Sequence, residues 1–467
     1  MQPENDSRGL SAGLLVSVAV VLFAIVAGVA LWRIHPAGLG TGSAPAPSEP
    51  ETILSMHGSN TIGAQLAGAL AEAFLKRQGA QGIRTVAGPH ADEFSVRGSM
   101  PGDARPKAIE IQAHGSATAF PDLSAGKCDI GMASRRIKPE EAAALAKLGD
   151  MTSPACEHVV GLDGLAIVVN KNNAVAALST SQIAGIFTGE ITDWQAAGGA
   201  PGTIKVLARD DKSGTYDTFK ALVLGKRPLV AGAVRLEDSR ELSDRVAGDP
   251  NAIGFIGLPY VRSAKAVAVW EVGTTPLVPN RLTVGTEDYL LSRRLFFYTA
   301  AAPSPLVRRF VEFALASDGQ DIVAQSGFVE LNVKAESSTA AANSTPEYVS
   351  AISGAERLSL NFRFQPGSSQ LDNRALVDLD RVAGYLSSPG RRRGGIVLCG
   401  FADSVGAREV NQALSLHRAN VVAGEFRRRG VEPATVTGFG AANPVASNDN
   451  EDGRQKNRRV EVWLRTM

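Results

Sequence analysis

Residues 400–422, GFADSVGAREVNQALSLHRANVV, and residues 453–464, GRQKNRRVEVWL, decide how the C-terminal part of this chain is read. An apolar run, Ile396, Val397 and Leu398, predicts a strand that ends just before Asp403. Beyond it Val410, Leu414, Val421 and Val422 follow a 3.6-residue period and predict a helix. Arg418 stands four residues after Leu414, so it is expected on the same inward-facing stripe. A buried guanidinium needs a carboxylate. Asp403, fifteen residues earlier (418 − 403), is one candidate, as a structural pair. The carboxylate of a ligand is the other.

The fixed spacings go further. Asp403 and Gly406 form D-x-x-G. Asn411, Leu414, Ser415, Arg418 and Ala419 form N-x-x-L-S-x-x-R-A. Gly453, Arg454, Asn457, Arg458, Arg459, Val460 and Glu461 form G-R-x-x-N-R-R-V-E. The segment resembles the peptidoglycan-binding domain of the OmpA family, an α+β fold. That resemblance implies that Asp403 and Arg418, with Asn411, Leu414 and Arg458 around them, hold the diaminopimelate of a peptidoglycan stem peptide. An Arg fork suits its carboxylate and an Asp its ammonium. The family's G-H-T-D reads Gly400, Phe401, Ala402, Asp403 here, so a His and a Thr hydroxyl are missing.

Working outward, 467 residues exceed one ordinary core and predict two or three domains. A composition of 44% apolar and 20% charged residues describes a globular chain. A net charge of +1 gives no invitation to nucleic acid, and Arg391-Arg392-Arg393 reads as a solvated turn. Of three cysteines, Cys128 and Cys156 could pair in an oxidising compartment, while Cys399 lies in an apolar strand as a buried thiol. The six histidines show no metal-ligand spacing, so neither a metal nor a cofactor is expected.

Residues 10–32 carry no charge and are long enough to cross a bilayer, which predicts a transmembrane anchor within residues 1–35. A cleaved signal peptide competes, with Gly28-Val29-Ala30 as its small-residue site. Residues 36–50, rich in Pro, Gly, Ser and Ala, read as a flexible tether; with His35 it would reach about 55 Å when extended. Residues 334–355 read as a second linker. Between the two, residues 51–333 suffice for a two-lobed α/β domain, and residues 356–467 form the C-terminal domain.

In the middle region four strand ends share one chemistry. Gly58-Ser59-Asn60-Thr61-Ile62 follows Ile53-Leu54, and Gly115-Ser116-Ala117-Thr118 follows Ile109-Glu110-Ile111. Ala133-Ser134-Arg135-Arg136 ends a third strand. Arg209-Asp210-Asp211-Lys212-Ser213-Gly214-Thr215 follows Ile204–Leu207. Each offers hydroxyls and free backbone N–H groups at a helix start, where anions are favoured. Any one of them also reads as an ordinary N-cap.

Together with residues 163–170, 183–194 and 249–255, these loops resemble the PstS-like phosphate-binding proteins of ABC transporters, which have the type II periplasmic binding fold. The resemblance implies an oxyanion in a cleft between two lobes, held by Ser59, Thr61, the Ile62 N–H, Ser116, Ser134, Arg209, Ser213, Gly214 and Thr215. Well-studied members place an Asp in the third loop, and here that position reads Ser134-Arg135. His57 and His114 precede two of the loops and would add charge if protonated.

The expectation is a non-enzymatic receptor for phosphate or a similar oxyanion. It is fixed to the inner membrane by one span, with its bulk in the periplasm, and held to peptidoglycan, so it captures or senses phosphate locally. An ABC permease or a sensor is its further expected partner. The alternatives are a phosphatase on the same fold, using Ser59, Thr61 or Ser213, and a wall-anchored scaffold whose middle domain has lost its ligand.

Overall fold

The strand Glu157–Val169 runs through the centre of the protein, and from Val159 onward every residue in it is buried. Its sequence, EHVVGLDGLAIVV, is a near-continuous apolar run, as expected of a strand covered on both faces. In its first half it pairs antiparallel with Ser292–Tyr298, from Tyr298 opposite Glu157 to Ser292 opposite Gly164. From Leu165 it pairs instead with Ala252–Gly257. The change of partner divides two lobes. A Cβ on Gly164 would lie 2.6 Å from Val284, so the crossover packs directly on the strand at this point.

The computed structural model describes residues 49–465 except 91, 212, 366 and 389–394. The expected membrane anchor and most of the tether lie outside the described residues. Among those described, no helix is long and apolar enough to cross a membrane.

From Glu49 onward the chain forms one compact unit. In order across the sheet, the first lobe contributes Gln81–Ala87, Glu93–Ser99, Lys107–Gln112, Glu51–Gly58, Ile130–Ala133 and Ser292–Tyr298. The shared strand follows, and then Ala252–Gly257, Lys205–Arg209 and Val234–Leu236 of the second lobe. Glu51–Gly58 is parallel to both Lys107–Gln112 and Ile130–Ala133. Lys205–Arg209 is parallel to Ala252–Gly257 and to Val234–Leu236. Loops at the carboxyl ends of such strands form the crevice in open α/β sheets. Phe74, Phe297 and Phe310 anchor the first lobe's core. Phe187 packs edge-on against Phe219 in the second lobe, and Phe219 stacks on Phe255 at 4.0 Å.

The C-terminal domain is a separate five-stranded sheet, ordered Ala335–Glu336, Ala355–Arg363, Arg459–Arg465, Ile396–Gly400, Thr435–Gly438. Helix Arg408–Arg428 packs on it with a phase different from the one expected. Its buried residues are Asn411, Ser415, Arg418, Ala419, Val422, Ala423 and Phe426. Val410 is 52% exposed and Leu414 38% exposed. The reason is close contact with the backbone: Cβ atoms on Gly400 and Gly438 would lie 2.0 Å from the Ser415 carbonyl and 2.4 Å from the Leu416 nitrogen. Only small residues fit on the first half of that face.

Cys128 and Cys156, whose pairing the sequence leaves open, are both buried free thiols. One further expectation is corrected. The stretch 334–355 is built into the domain: Ala335–Glu336 pairs with the sheet edge, and helix Pro346–Ile352 buries Tyr348 and Ile352. The Tyr348 hydroxyl donates to Glu461 at 2.7 Å.

Buried charge joins the C-terminal domain to the lobes. Glu287, on the return crossing from the second lobe to the first, meets Arg294 at 2.9 Å and also Arg374, and Arg363 lies 3.6 Å away. Asp288 accepts from Asn361 at 2.8 Å, and Arg294 pairs with Asp372 at 2.7 Å. Burial pushes the Glu287 pKa up, but the arginines around it outweigh this and hold it well below the carboxylate range. Burial with arginine neighbours lowers Lys456, which donates to the Leu290 carbonyl, to about 8.

Glu287→Gln should therefore destabilise the protein by about 3–5 kcal/mol in urea unfolding at pH 7, because it strands buried arginines. A depressed carboxylate contributes fully above its ordinary value of 4.5 and loses that contribution as pH falls below it. The gap between wild type and E287Q should accordingly shrink in titrations below about pH 4.5. A constant gap would show that Glu287 acts through shape alone.

Candidate binding sites

The loop after Glu51–Gly58 turns at Gly58, where two features require glycine: φ is 134°, and a Cβ would lie 2.1 Å from the Met132 carbonyl oxygen. The next loop turns at Gly115, φ 104°, and its N–H donates to the Gly58 carbonyl at 2.8 Å. The Ser116 hydroxyl then accepts from the Ser134 N–H at 3.0 Å, and the two hydroxyls lie 3.2 Å apart. Three loops of the first lobe are thus fastened together. From the second lobe, Ser213 caps helix Gly214–Phe219. Gly214 approaches Thr61 so closely that a Cβ there would sit 2.3 Å from its hydroxyl.

Between these loops lies a cavity of about 480 Å³, lined by Thr61, Arg209, Ser213, Gly214, Thr215 and Asp163, among others. Ser116 and Ser134 are not among its lining residues. The Ile62 side chain is in the lobe's core, which leaves only its N–H for a ligand. Ser59 is buried, and its hydroxyl has no partner among the described residues. Arg209 lines the cavity but is held by its own lobe: it donates to the Glu237 carbonyl at 2.7 Å, to the Leu236 carbonyl at 3.3 Å and to the Ser239 hydroxyl. Burial draws its pKa below the ordinary arginine value.

Two residues that sequence reasoning gave no role connect the loops. Arg293 donates to the Thr61 hydroxyl at 2.8 Å, the Ser134 hydroxyl at 3.0 Å and the Gly214 carbonyl at 3.2 Å. It pairs with Asp163 at 2.9 Å, and both side chains are almost fully buried. One guanidinium therefore touches loops of both lobes. Part of the signal was present, because Asp163 is a charge in the middle of an apolar run, whereas Arg293 stands beside Arg294 at the polar start of Ser292–Tyr298. His57 pairs with Asp122 and His114 with Glu93, each at 2.9 Å, and neither histidine lines the cavity.

In the C-terminal domain the five expected residues, Asp403, Asn411, Leu414, Arg418 and Arg458, line one cavity of about 360 Å³ with Glu451 at its edge. Asp403 accepts from the Val405 N–H at 2.9 Å and from Arg458 at 2.7 Å. Its partner is thus Arg458 and not Arg418. Arg418 is 7% exposed and lies over the Phe364 ring, and its buried Nε has no partner among the described residues. No carboxylate among the described residues comes within pairing distance of it. Burial first, and then the neighbouring Arg458, lower its pKa. Such a group is an open socket for a carboxylate. Phe401, where the family has His, is buried under Arg459 at 4.0 Å and beside Tyr348, so it has become a core residue. Among the described residues no His, Cys, Asp and Glu side chains gather as metal ligands.

Comparison with known proteins finds relatives of both domains. A PBP superfamily domain matches residues 100–318, and an OmpA family domain matches residues 363–458. The protein SphX of Synechococcus elongatus is 34% identical over 241 residues, covering 49% of this chain and 70% of SphX. The phosphate-binding protein PstS of Pseudomonas aeruginosa is 30% identical over 244 residues, 48% of this chain and 75% of PstS. Among solved structures, a putative phosphate ABC transporter substrate-binding protein with bound phosphate from Clostridium perfringens is 31% identical. It covers 60% of this chain and 99% of its own, with a TM-score of 0.44. The chain belongs to the PstS-like, non-enzymatic binding proteins of the PBP superfamily and carries an OmpA-family domain at its C-terminal end.

Proposed function

We propose that this protein is a wall-tethered phosphate receptor: its two lobes close on phosphate while the C-terminal domain holds the diaminopimelate of peptidoglycan. The observation that carries the reading is the convergence on Arg293 of hydroxyl-bearing loops from both lobes, beside a cavity that Arg209, Ser213, Gly214 and Thr215 line from the second lobe. An oxyanion there meets neutral donors, backbone N–H groups and fixed positive charge. The phosphate-binding protein PstS lends the ligand its identity. The third loop has no carboxylate, but Asp163 supplies one from the neighbouring strand. It accepts from Arg293 through Oδ2, and its Oδ1 takes no bond among the described residues. Hydrogen phosphate has an O–H to donate to such a group and sulfate has none, which favours phosphate.

In the wall pocket, Arg418 takes the ligand carboxylate and Asp403 its ammonium. The uncharged run at residues 10–32 acts as an inner-membrane anchor, with the receptor in the periplasm. Held at membrane and wall, the protein captures or senses phosphate locally and hands it to an adjacent permease or sensor.

Calorimetric titration of the full chain with phosphate and then sulfate tests the first half. Saturable one-to-one binding of phosphate is expected, and no heat with either anion would sink it. Arg293→Ala should weaken phosphate binding by about 2–5 kcal/mol, as loss of a buried charged partner does. Asp163→Asn should shift the phosphate-to-sulfate ratio toward sulfate by at least about tenfold, in keeping with one hydrogen bond to a charged group. For the second half, Arg418→Ala should abolish pull-down by purified peptidoglycan while phosphate binding persists; unchanged pull-down would reassign Arg418 to a packing role.

A further inference from the structure

The loop formed by residues 443–450 bonds to residues beside the wall pocket on one side and to the second lobe on the other. On the pocket side, the Asn448 side chain accepts from the Ser404 N–H at 3.1 Å, next to Asp403, and its carbonyl accepts from Arg454 at 2.9 Å. Asn450 caps helix Glu451–Asn457, which carries Glu451 and Arg454 and leads into Arg458. Asn457 braces the loop from within through the Val445 and Ala446 N–H groups. On the lobe side, Ala446 is buried in the apolar cluster of the receptor, and the Ser447 N–H donates to Glu271 at 2.6 Å. Glu271 also accepts from Thr180, at the start of helix Thr180–Thr188 in the second lobe.

The same C-terminal domain grips the first lobe elsewhere. Asn373 donates to the Thr152 carbonyl at 2.8 Å and to Glu157 at 3.0 Å, and Asp372 pairs with Arg294. Arg294 follows Arg293 on one strand, so the two side chains leave opposite faces: one into the ligand cleft, the other into the domain interface. The C-terminal domain therefore spans the hinge. Its hold on the first lobe and on the crossing segment is a network of buried charges, whereas on the body of the second lobe it rests on the 443–450 loop and on Asn343, which accepts from Thr275 at 3.3 Å.

From this we infer that the C-terminal domain splints the two lobes through the 443–450 loop, so that wall-peptide binding and anion binding are reciprocally coupled. The inference rests on the two binding assignments above. A wall peptide that orders the Asp403–Ser404–Asn448 side of the loop biases where Ser447 holds Glu271, and with it the lobe that carries Ser213, Gly214 and Thr215. Linkage then requires phosphate to change wall-peptide affinity by the same factor.

The test measures phosphate affinity of the full chain with and without saturating L-Ala–γ-D-Glu–meso-diaminopimelate, and the peptide's affinity with and without phosphate. The expected result is a change of at least about fivefold, equal in both directions. Glu271→Ala should bring the factor close to one with each ligand still binding alone, and Glu271→Gln, which keeps an acceptor for Ser447, should retain it. Affinities independent within about twofold in the wild type overturn the inference. If either ligand fails to bind by itself, the corresponding site assignment is at fault, and hydrogen exchange reads the coupling with the other. The peptide should slow exchange at residues 180–188 and 268–275, and phosphate should alter it at 443–450, in wild type but not in E271A. Unchanged exchange at the distant segment also overturns it.

Discussion

Two consecutive arginines on a central strand hold the buried charges of the cleft and of the domain interface. Arg293 binds Asp163 and three loops of the cleft; Arg294 binds Glu287 and Asp372 at the domain interface. Strand geometry makes this division, since neighbouring side chains point to opposite faces. The strand is flanked by Ile130–Ala133 and by the long shared strand, so its register is set from both edges. A slip of one residue would send each arginine to the other's partners. Cleft and docking surface thus depend on one register.

The domain interface is costly to build. Each desolvated ion loses several kcal/mol of hydration, which attraction offsets only when geometry is good and the remaining hydrogen bonds are made. Arg363 and Arg374 meet both a carboxylate and main-chain carbonyls of the crossing segment, including those of Gly285, Thr286 and Glu287. Such a network gains little stability over an apolar interface of the same size. It does penalise any docking that leaves one charge unpaired, and so selects one placement of the C-terminal domain on the receptor. Separate lobes and a loosely strung wall domain would not need it.

Much of the binding chemistry was legible because it is local. Gly58 and Gly115 mark strand ends where only glycine fits, and the hydroxyls beside them fall at helix starts. The five wall-pocket residues were legible through fixed spacings and do converge on one cavity. The phase of helix Arg408–Arg428 was misread because its inner face rests on the backbones of Gly400 and Gly438. Asn411 and Ser415 fit there, and the apolar Val410 and Leu414 turn outward. Composition also hid the order in residues 334–355, although Thr345 before Pro346 is a helix start and Tyr348 and Ile352 share a helix face. The free state of Cys128 and Cys156 had no local signal.

By itself the sequence determined which modules are present, their order, and the glycine- and hydroxyl-bearing loops that each carries, because those properties reside in short runs with fixed spacing. The tertiary structure alone decided who pairs with whom. Asp403 takes Arg458, 55 residues away, and leaves Arg418 open; Asp163 takes Arg293 across 130 residues; Glu287 takes Arg374 across 87. Ion pairing depends on distance and burial in space, and neither periodicity nor composition along one chain carries that information.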